Sequence, residues 1–222
     1  MLKYLYGKKL YLNDWIEGAQ GVRLSDIAHY SIMENELMRD DELAKSFVFD
    51  KEQVTFSING VLLNAADMDA NPVITIFPER CFCVCFSGKK NDPILFERFK
   101  SDVCVEVDIE KLVELLRVGL SRLEGVTVVH RDVNYYPAIM ATPTPDLLSA
   151  VFYKRDIYAV EDEYRIAVMI PSHRRLLRGP EGKAVAIFSD DHADLRHMFV
   201  NGMDPSINTS YIVSITNTPL AK

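Results

Sequence analysis

Asn59-Gly60, which lies between two extended runs, is the feature that most constrains how this chain can fold. Residues 54–58 before it and residues 61–63 after it are rich in β-branched and other apolar side chains. A two-residue type I′ turn needs positive φ at both central positions, and Asn-Gly is a pair that adopts it readily. The sequence therefore predicts a β-hairpin here, with its two strands antiparallel.

Most other apolar residues also lie in short extended runs, and only a few helical segments separate them. Residues 73–77 and 80–86 are nearly continuous apolar runs, which predicts central strands covered on both faces. Residues 101–108 alternate between apolar and polar side chains, as in a strand with one buried face. Asp108 then precedes the strongest helical pattern, residues 109–123. This order predicts an α+β fold, with a mainly antiparallel mixed sheet and a few packed helices.

Several shorter elements are predicted with less sequence to support them. Residues 10–12 are expected to form a strand, with Asn13 capping a short helix after it. Residues 22–30 are expected to be extended. Residues 145–154 are predicted to form a helix that ends at Lys154, and a short helix is predicted near residues 194–200.

Length and charge narrow the classes of protein to consider. A chain of 222 residues without repeats or linkers fits one globular domain, residues 1–222. The net charge of -7 opposes nucleic-acid binding, and the basic run at residues 173–178 is bracketed by turn residues, as in a loop between strands. No run approaches the roughly 20 apolar residues of a membrane span, and the first residues do not resemble a signal peptide. We therefore expect a cytoplasmic protein without membrane association.

Three of the four cysteines stand in Cys81-Phe-Cys83-Val-Cys85 and would share one face of a strand. Their Cα atoms would lie about 6.5–7 Å apart, at or beyond the far end of disulfide geometry. The spacing is also unlike that of zinc sites. The array therefore predicts buried thiols in a reducing compartment, with neither a disulfide nor a metal.

Opposite charges are concentrated in an otherwise apolar run near the C-terminal third. Lys154 precedes Glu161, Glu163 and Arg165, and in a strand the last three would point to the same side. One interpretation is an exposed sheet face with cross-strand ion pairs, each contributing little. The other is a site in which Lys154 and Arg165 keep both glutamates ionised, so that they can accept hydrogen bonds from a substrate.

Three segments, taken in order, resemble a bacterial and phage family known as domain of unknown function twenty-nine seventy-one. They are residues 22–42, residues 83–108, and Lys154 with the Glu-x-Glu-Tyr-Arg of residues 161–165. Phe96 stands where many relatives carry a tryptophan. Members of that family often lie near abortive-infection genes, so the resemblance implies a role in phage defence.

The order of an early arginine, a middle serine and a late Glu-x-Glu is also similar to that of the mono-ADP-ribosyltransferases that use NAD. The resemblance implies that Arg23 binds the pyrophosphate and that Ser87 supports the nicotinamide ribose. Glu163 would bind a ribose hydroxyl while positive charge develops, and Glu161 would act as general base for a protein or nucleic-acid acceptor. Lys154 and Arg165 would complete the NAD site.

Two further classes of function stay open. A non-enzymatic sensor or interaction module of a defence system would use the acidic loop at residues 34–42 as its contact surface. A metal-dependent nuclease or hydrolase would instead place Asp102 and Glu106 with the two glutamates around a divalent cation. His29 and His130 are further candidates for acid or base, although a lone histidine is more often structural.

Overall fold

The computed structural model describes residues 1–32, 42–142, 147–191 and 194–218. Its strands and α-helices are, in chain order, β1 (Leu2–Gly7), α1 (Lys9–Ile16), β2 (Arg23–Asp26), β3 (Lys45–Val48), β4 (Ser57–Ile58), β5 (Val61–Leu62), β6 (Val73–Ile76), β7 (Cys81–Ser87), α2 (Pro93–Arg98), β8 (Val103–Asp108), α3 (Ile109–Leu120), β9 (Thr127–Asp132), β10 (Asn134–Tyr136), β11 (Tyr153–Arg155), β12 (Glu163–Met169), β13 (Leu176–Arg178), β14 (Ala184–Ala186), β15 (His197–Phe199), α4 (Pro205–Thr209) and β16 (Ile212–Asn217). Short 3₁₀ helices lie at Ile27–Ile32, Ala65–Asp67, Leu147–Phe152, Asp156–Glu161 and Pro180–Gly182.

An eight-stranded sheet organises the fold. Six strands follow the order β15-β2-β7-β1-β8-β16, and β12 followed by β9 extends from the other edge of β7. Every ladder in this sheet is antiparallel, whereas the small β10–β11 pair is parallel. The predicted α+β class with a mainly antiparallel sheet is confirmed.

The sheet forks at β7. Along one edge, β12 pairs with the whole of β7. The opposite edge is shared, because β2 pairs only at residues 82–83 and β1 only at Ser87. In the ladders that the structure describes, residues 84–86 therefore have no strand partner on that side. A cleft opens there, between the branch that contains β2 and the branch that contains β1.

The two faces of the sheet have different coverings. α3 covers one face with side chains that recur at helical spacing, namely Ile109, Leu112, Val113, Leu116 and Leu120. Each such buried side chain contributes about 1.5–3 kcal/mol, so truncating one of them to alanine would cost about 2–5 kcal/mol. The other face is covered by the 3₁₀ helices Ile27–Ile32 and Leu147–Phe152, which pack on Cys81, Cys83 and Ala167. The charged residues of β12 lie on this second face.

The predicted hairpin at Asn59-Gly60 is confirmed. Both residues have positive φ, 51° and 79°, and they join β4 to β5. The strands are only two residues long, however, and they lie outside the main sheet with their side chains exposed. The turn residues therefore predicted the local geometry of the hairpin but not its position relative to the main sheet.

The two strands predicted to be central differ in outcome. β7 is central and buried, as expected. The prediction is wrong for residues 73–77. Among the strands that the structure describes, β6 pairs only with β3, in a separate two-stranded sheet, and Val73 is 57% exposed. An apolar run favours a strand, but it does not determine whether both faces of that strand are covered.

Four local predictions are wrong where the segments are short. Residues 10–12 belong to α1, which begins before Asn13. The extended segment predicted at residues 22–30 ends with β2 and continues as a 3₁₀ helix. Lys154 lies in β11 rather than at a helix end, and residues 197–199 form β15 because they pair with β2. Tertiary pairing outweighs weak local preference in such segments.

Two other predictions have mixed outcomes. Residues 145–146, where the helix to Lys154 was predicted to begin, lie outside the described residues. The basic run at residues 173–178 ends in β13, which pairs with β14 as a hairpin. Within the described part of the chain, no helix has both the length and the apolar character needed to cross a membrane.

Candidate functional site

The cleft at the fork of the sheet, called the fork cleft below, has a volume of about 280 Å³. Side chains from β1, β2, β7, β11 and β12 line it, together with residues of the intervening 3₁₀ helices. Its polar lining consists of Arg23, Ser25, His29, Ser87, Lys154, Glu161 and Glu163, and its aromatic lining of Tyr4, Tyr6, Tyr30, Phe86 and Phe99. Concave sites with apolar walls and a few convergent polar groups are typical ligand sites.

A larger and more open groove of about 670 Å³ lies between α3 and the segment around α4. Leu115, Val118 and Ile207 form much of its surface, and none of the site residues predicted from the sequence lines it. The groove also carries polar side chains, among them Glu110, Lys111 and Glu114. The fork cleft is nevertheless the better candidate for chemistry despite its smaller volume, because the charged residues predicted from the sequence converge there.

Five of the six predicted site residues line the fork cleft. Arg23, Ser87, Lys154, Glu161 and Glu163 come from segments far apart in sequence, and the forked sheet brings them together. β2 and β12 flank β7, so the Cα atoms of facing residues on those two strands lie roughly 10 Å apart, which is two strand spacings.

Arg165 is the predicted site residue that does not line the cleft. Its side chain is fully buried and donates from Nε to Glu163 Oε1 at 2.8 Å. The other guanidinium nitrogens donate to Glu42, at 2.9 and 2.8 Å, and to the carbonyl of Val151 at 2.6 Å. With all these donors engaged inside the protein, Arg165 supports Glu163 and does not reach a ligand.

Lys154 bridges the two glutamates of the cleft. Its Nζ donates to Glu161 Oε2 at 2.8 Å and to Glu163 Oε2 at 3.0 Å. Arg98 Nε also donates to Glu161 Oε1, at 2.9 Å, so each carboxylate contacts two cations. The interpretation as an exposed sheet face with weak surface pairs is wrong, because Lys154, Glu161 and Glu163 are all buried.

The ion pairs fix the protonation states of the bridge. Burial alone would raise the pKa of Glu163, but the charges of Arg165 and Lys154 outweigh burial and hold that pKa well below its ordinary value. Burial alone would lower the pKa of Lys154, and the charges of Glu163 and Glu161 hold it well above its ordinary value. Glu163 is therefore an anion at neutral pH, suited to accept hydrogen bonds and unsuited to act as a general base.

The backbone at Glu161 differs from the predicted strand. Glu161 ends the 3₁₀ helix Asp156–Glu161, Asp162 adopts a left-handed conformation with φ 45°, and β12 begins only at Glu163. Strict strand alternation is therefore wrong as the reason for their proximity. The left-handed residue turns the chain so that both carboxylates nevertheless reach Lys154.

Ser87 has a structural contact of its own. Its Oγ donates to the carbonyl of Glu161 at 2.6 Å and accepts from the backbone N–H of Lys89 at 3.0 Å. The hydroxyl proton is thus already engaged, and Ser87 could meet a ligand only as an acceptor. Its observed effect is to fix the 3₁₀ segment that carries Glu161 beside β7.

Glu42, which sequence reasoning did not assign to the site, is the buried partner of Arg165. It also accepts from Lys45 Nζ at 2.9 Å. Burial would raise the pKa of Glu42, but Arg165 and then Lys45 outweigh it and lower that pKa to about 2. The predicted contact loop at residues 34–42 lies outside the described residues up to residue 41, and its last member is buried rather than offered to a partner.

The residues of the hydrolase alternative do not converge. Asp102 accepts from the backbone N–H of Lys9, and Glu106 accepts from Lys90 and Ser214. Neither lines the fork cleft. Among residues 1–32, 42–142, 147–191 and 194–218, no three His, Cys, Asp or Glu side chains are grouped so that they could hold a metal ion.

The two candidate histidines and the cysteines differ in whether they line the fork cleft. His130 is outside the lining of the fork cleft, with Nδ1 2.6 Å from the hydroxyl of Tyr164, whereas His29 lines it. The four cysteines are free, and Cys81 and Cys83 are buried. Cys85 lines the cleft and donates to the hydroxyl of Tyr30 at 3.3 Å. A hydrogen bond with Cys83, followed by burial, raises the pKa of Cys85 well above its ordinary value, so its thiol is neutral.

Comparison of the chain with protein-family models, with curated proteins and with solved structures finds no match. Kinship with the defence-associated family, and the likeness to NAD-dependent transferases, therefore stay predictions from the sequence.

Proposed function

We propose that the fork cleft binds a dinucleotide of the NAD class and that the protein is a mono-ADP-ribosyltransferase-like enzyme of a bacterial or phage defence system. One observation carries the proposal: the sheet fork gathers Arg23, Lys154 and the Glu161–Glu163 pair around one aromatic-walled cleft. An arginine suits the phosphates, aromatic rings suit planar bases, and ionised carboxylates suit ribose hydroxyls.

The ionisation of Glu163 supports the transfer step. During transfer the bond between ribose and nicotinamide breaks, and its electron pair leaves with nicotinamide. The ribose then carries developing positive charge, which an ionised carboxylate in a poorly hydrated cleft stabilises. The acceptor forms the new bond and releases a proton. Glu161, which shares Lys154 with Glu163, is the residue that we assign to take up that proton.

A non-enzymatic ligand sensor is the second candidate, and the ion pairs favour it. Each glutamate already contacts two cations, and the Ser87 proton is already donated. A cleft arranged in this way can bind a nucleotide without turning it over. The two candidates share the same ligand and differ only in whether the ligand is consumed.

Arg23 gives the sharpest test because its side chain is exposed and, within the described residues, makes no hydrogen bond or ion pair. Arg23→Ala should leave the melting temperature of the free protein unchanged and abolish the shift that NAD produces. Arg122→Ala is the matched control, since Arg122 is an exposed arginine that does not line the cleft. Equal NAD shifts in the two variants would refute binding at the fork cleft.

Turnover is tested with labelled NAD and bacterial lysate. Label transferred to protein or nucleic acid by the wild type, but not by Arg23→Ala, supports the enzyme. NAD binding without transfer supports the sensor, and absence of both removes the proposal. Glu163→Gln is a weaker probe, because Glu163 is buried between Lys154 and Arg165 and its loss should also lower stability.

A further inference from the structure

The end of the fork cleft formed by β2 carries three hydrogen-bond donors close together in the chain. Arg23 and Ser25 are two residues apart on β2 and so project to the same side, and His29 follows on the 3₁₀ helix Ile27–Ile32. All three line the cleft. His197 of β15 stands directly opposite Ser25 in the β2–β15 ladder.

No carboxylate neutralises Arg23 in the part of the chain that the structure describes. Asp26, the acid nearest to it on β2, is fully buried and is held by Arg80, which donates to both of its carboxylate oxygens at 2.8–3.1 Å. Asp26 also accepts from the backbone N–H of Ala28. The carboxylate of Asp26 is therefore already paired, whereas Arg23 and His29 line the cleft and can donate hydrogen bonds to a ligand.

We propose that Arg23, Ser25 and His29 form an oxyanion subsite that binds the phosphate of a ligand, and that His29 takes up a proton when the anion arrives. A tetrahedral oxyanion can accept from the guanidinium, the hydroxyl and the imidazolium at once. The subsite refines the proposed function and rests on it only for the identity of the whole ligand, since any phosphate ester or inorganic oxyanion has the same chemistry.

Electrostatics at His29 give the subsite a measurable signature. Among the residues that the structure describes, the charged and titratable groups beside His29 are Arg23, His197, the buried Asp26 and the neighbouring Tyr30. Burial, then Arg23 and His197, lower the pKa of His29, and Asp26 opposes them only in part. His29 is therefore neutral in the free protein at neutral pH.

A bound dianion would reverse the balance and raise the pKa of His29. Between the pKa of the free and the bound imidazole, each unit of decrease in pH strengthens binding up to tenfold, because binding takes up a proton. We expect an oxyanion to bind about tenfold more tightly at about pH 5.5 than at about pH 7.5. A subsite made of Arg23 alone would show no such dependence.

Inorganic sulfate is the probe, because its charge stays constant over this pH range, whereas that of a phosphate monoester changes near pH 6. The full chain carries isotope-labelled histidine, and the ring signals of its five histidines are titrated by NMR with and without sulfate. The expected result is a rise of about one unit or more in the pKa of His29 with sulfate. His130 is the internal reference, since it lies outside the cleft lining.

Variants separate the subsite from general salt effects. His29→Gln should remove the pH dependence of sulfate affinity, and Arg23→Ala should weaken sulfate binding at every pH. His173→Gln is the matched control, because His173 is exposed and does not line the cleft. The remaining histidine signals show whether each variant is folded.

The outcomes distinguish this inference from the proposed function. A sulfate-dependent rise in the His29 pKa that requires more sulfate in Arg23→Ala supports the subsite, even if NAD does not bind, in which case only the dinucleotide proposal falls. NAD binding with a His29 pKa that neither NAD nor sulfate moves overturns the subsite and leaves the proposed function standing. Loss of the pH dependence in His173→Gln as well as in His29→Gln would also overturn it.

Discussion

Glu42→Gln is the substitution that most directly tests the buried ionic cluster. Glu42 lies outside the lining of the fork cleft, so the variant alters the scaffold beneath the site without touching a ligand. Its carboxylate accepts two hydrogen bonds from Arg165 and forms an ion pair with Lys45. The side chains of Glu42, Arg165 and Lys45 are almost completely buried. Gln keeps the shape and one acceptor and removes the charge.

The magnitude follows from the pKa of Glu42. The partners lower it from an ordinary 4.5 to about 2. At about 1.4 kcal/mol per pKa unit, the ionised carboxylate contributes about 3 kcal/mol to folding. For a chain of this length that corresponds to a melting temperature about 6–12 °C lower in Glu42→Gln at neutral pH.

The pH dependence provides the second half of the test. A carboxyl group whose folded pKa is lowered stabilises fully above its unfolded pKa, and the contribution is lost as pH falls through the folded pKa. The difference between wild type and Glu42→Gln, measured by urea unfolding, should therefore be constant above about pH 5 and shrink toward about pH 2. Glu52→Gln, an exposed glutamate, is the control and should change little. A Glu42→Gln variant within about 1 kcal/mol of wild type at neutral pH would refute the reasoning.

Three further predictions concern other parts of the fold. Tyr211→Phe should lower the unfolding free energy by about 2–3 kcal/mol in urea titrations. The hydroxyl of Tyr211 accepts from Trp15 Nε1 at 2.8 Å and from the backbone N–H of Val22 at 3.1 Å, so both buried donors would lose their acceptor. An unchanged free energy would mean that water takes the place of the hydroxyl. Gly60→Ala should cost about 1 kcal/mol by the same measurement, since φ at Gly60 is +79° although nothing obstructs a Cβ there, and a neutral result would show that the hairpin rearranges freely. In the folded protein a thiol reagent should modify Cys85 slowly and Cys83 not at all, because both thiols are held neutral by raised pKa values. In urea the reagent should modify all four cysteines. Rapid labelling of Cys83 in the native state would contradict this account.

The sequence predicted those parts of the fold that local patterns determine. The Asn59-Gly60 turn, β7, β8 and the start of α3 follow from turn chemistry and hydrophobic period. The exposure of β6 could not be predicted, because an apolar run is compatible with a small exposed sheet as well as with a central strand. Nearby residues determine where a strand begins and ends, but distant segments determine whether its faces are buried.

The candidate site divides in the same way. The charge pattern of Lys154, Glu161 and Glu163 predicted their association, because the residues lie close in sequence. The pattern could not predict Glu42 as the partner of Arg165, because Glu42 is the last of several acidic residues in its segment. Only the folded structure shows that Glu42 pairs with Arg165. The fork of the sheet, which creates the cleft, depends on β1 and β2 sharing one edge of β7, and no local pattern encodes that sharing.

The bridge at Lys154 limits how this chain can evolve. One ammonium group serves two buried carboxylates, so a neutral residue at position 154 would remove one of the two cations that each carboxylate contacts, and a neutral residue at 161 or 163 would leave Lys154 with one of these two carboxylates. We expect viable sequence drift at these positions to be concerted, with paired replacements that conserve the local sum of charge rather than single steps.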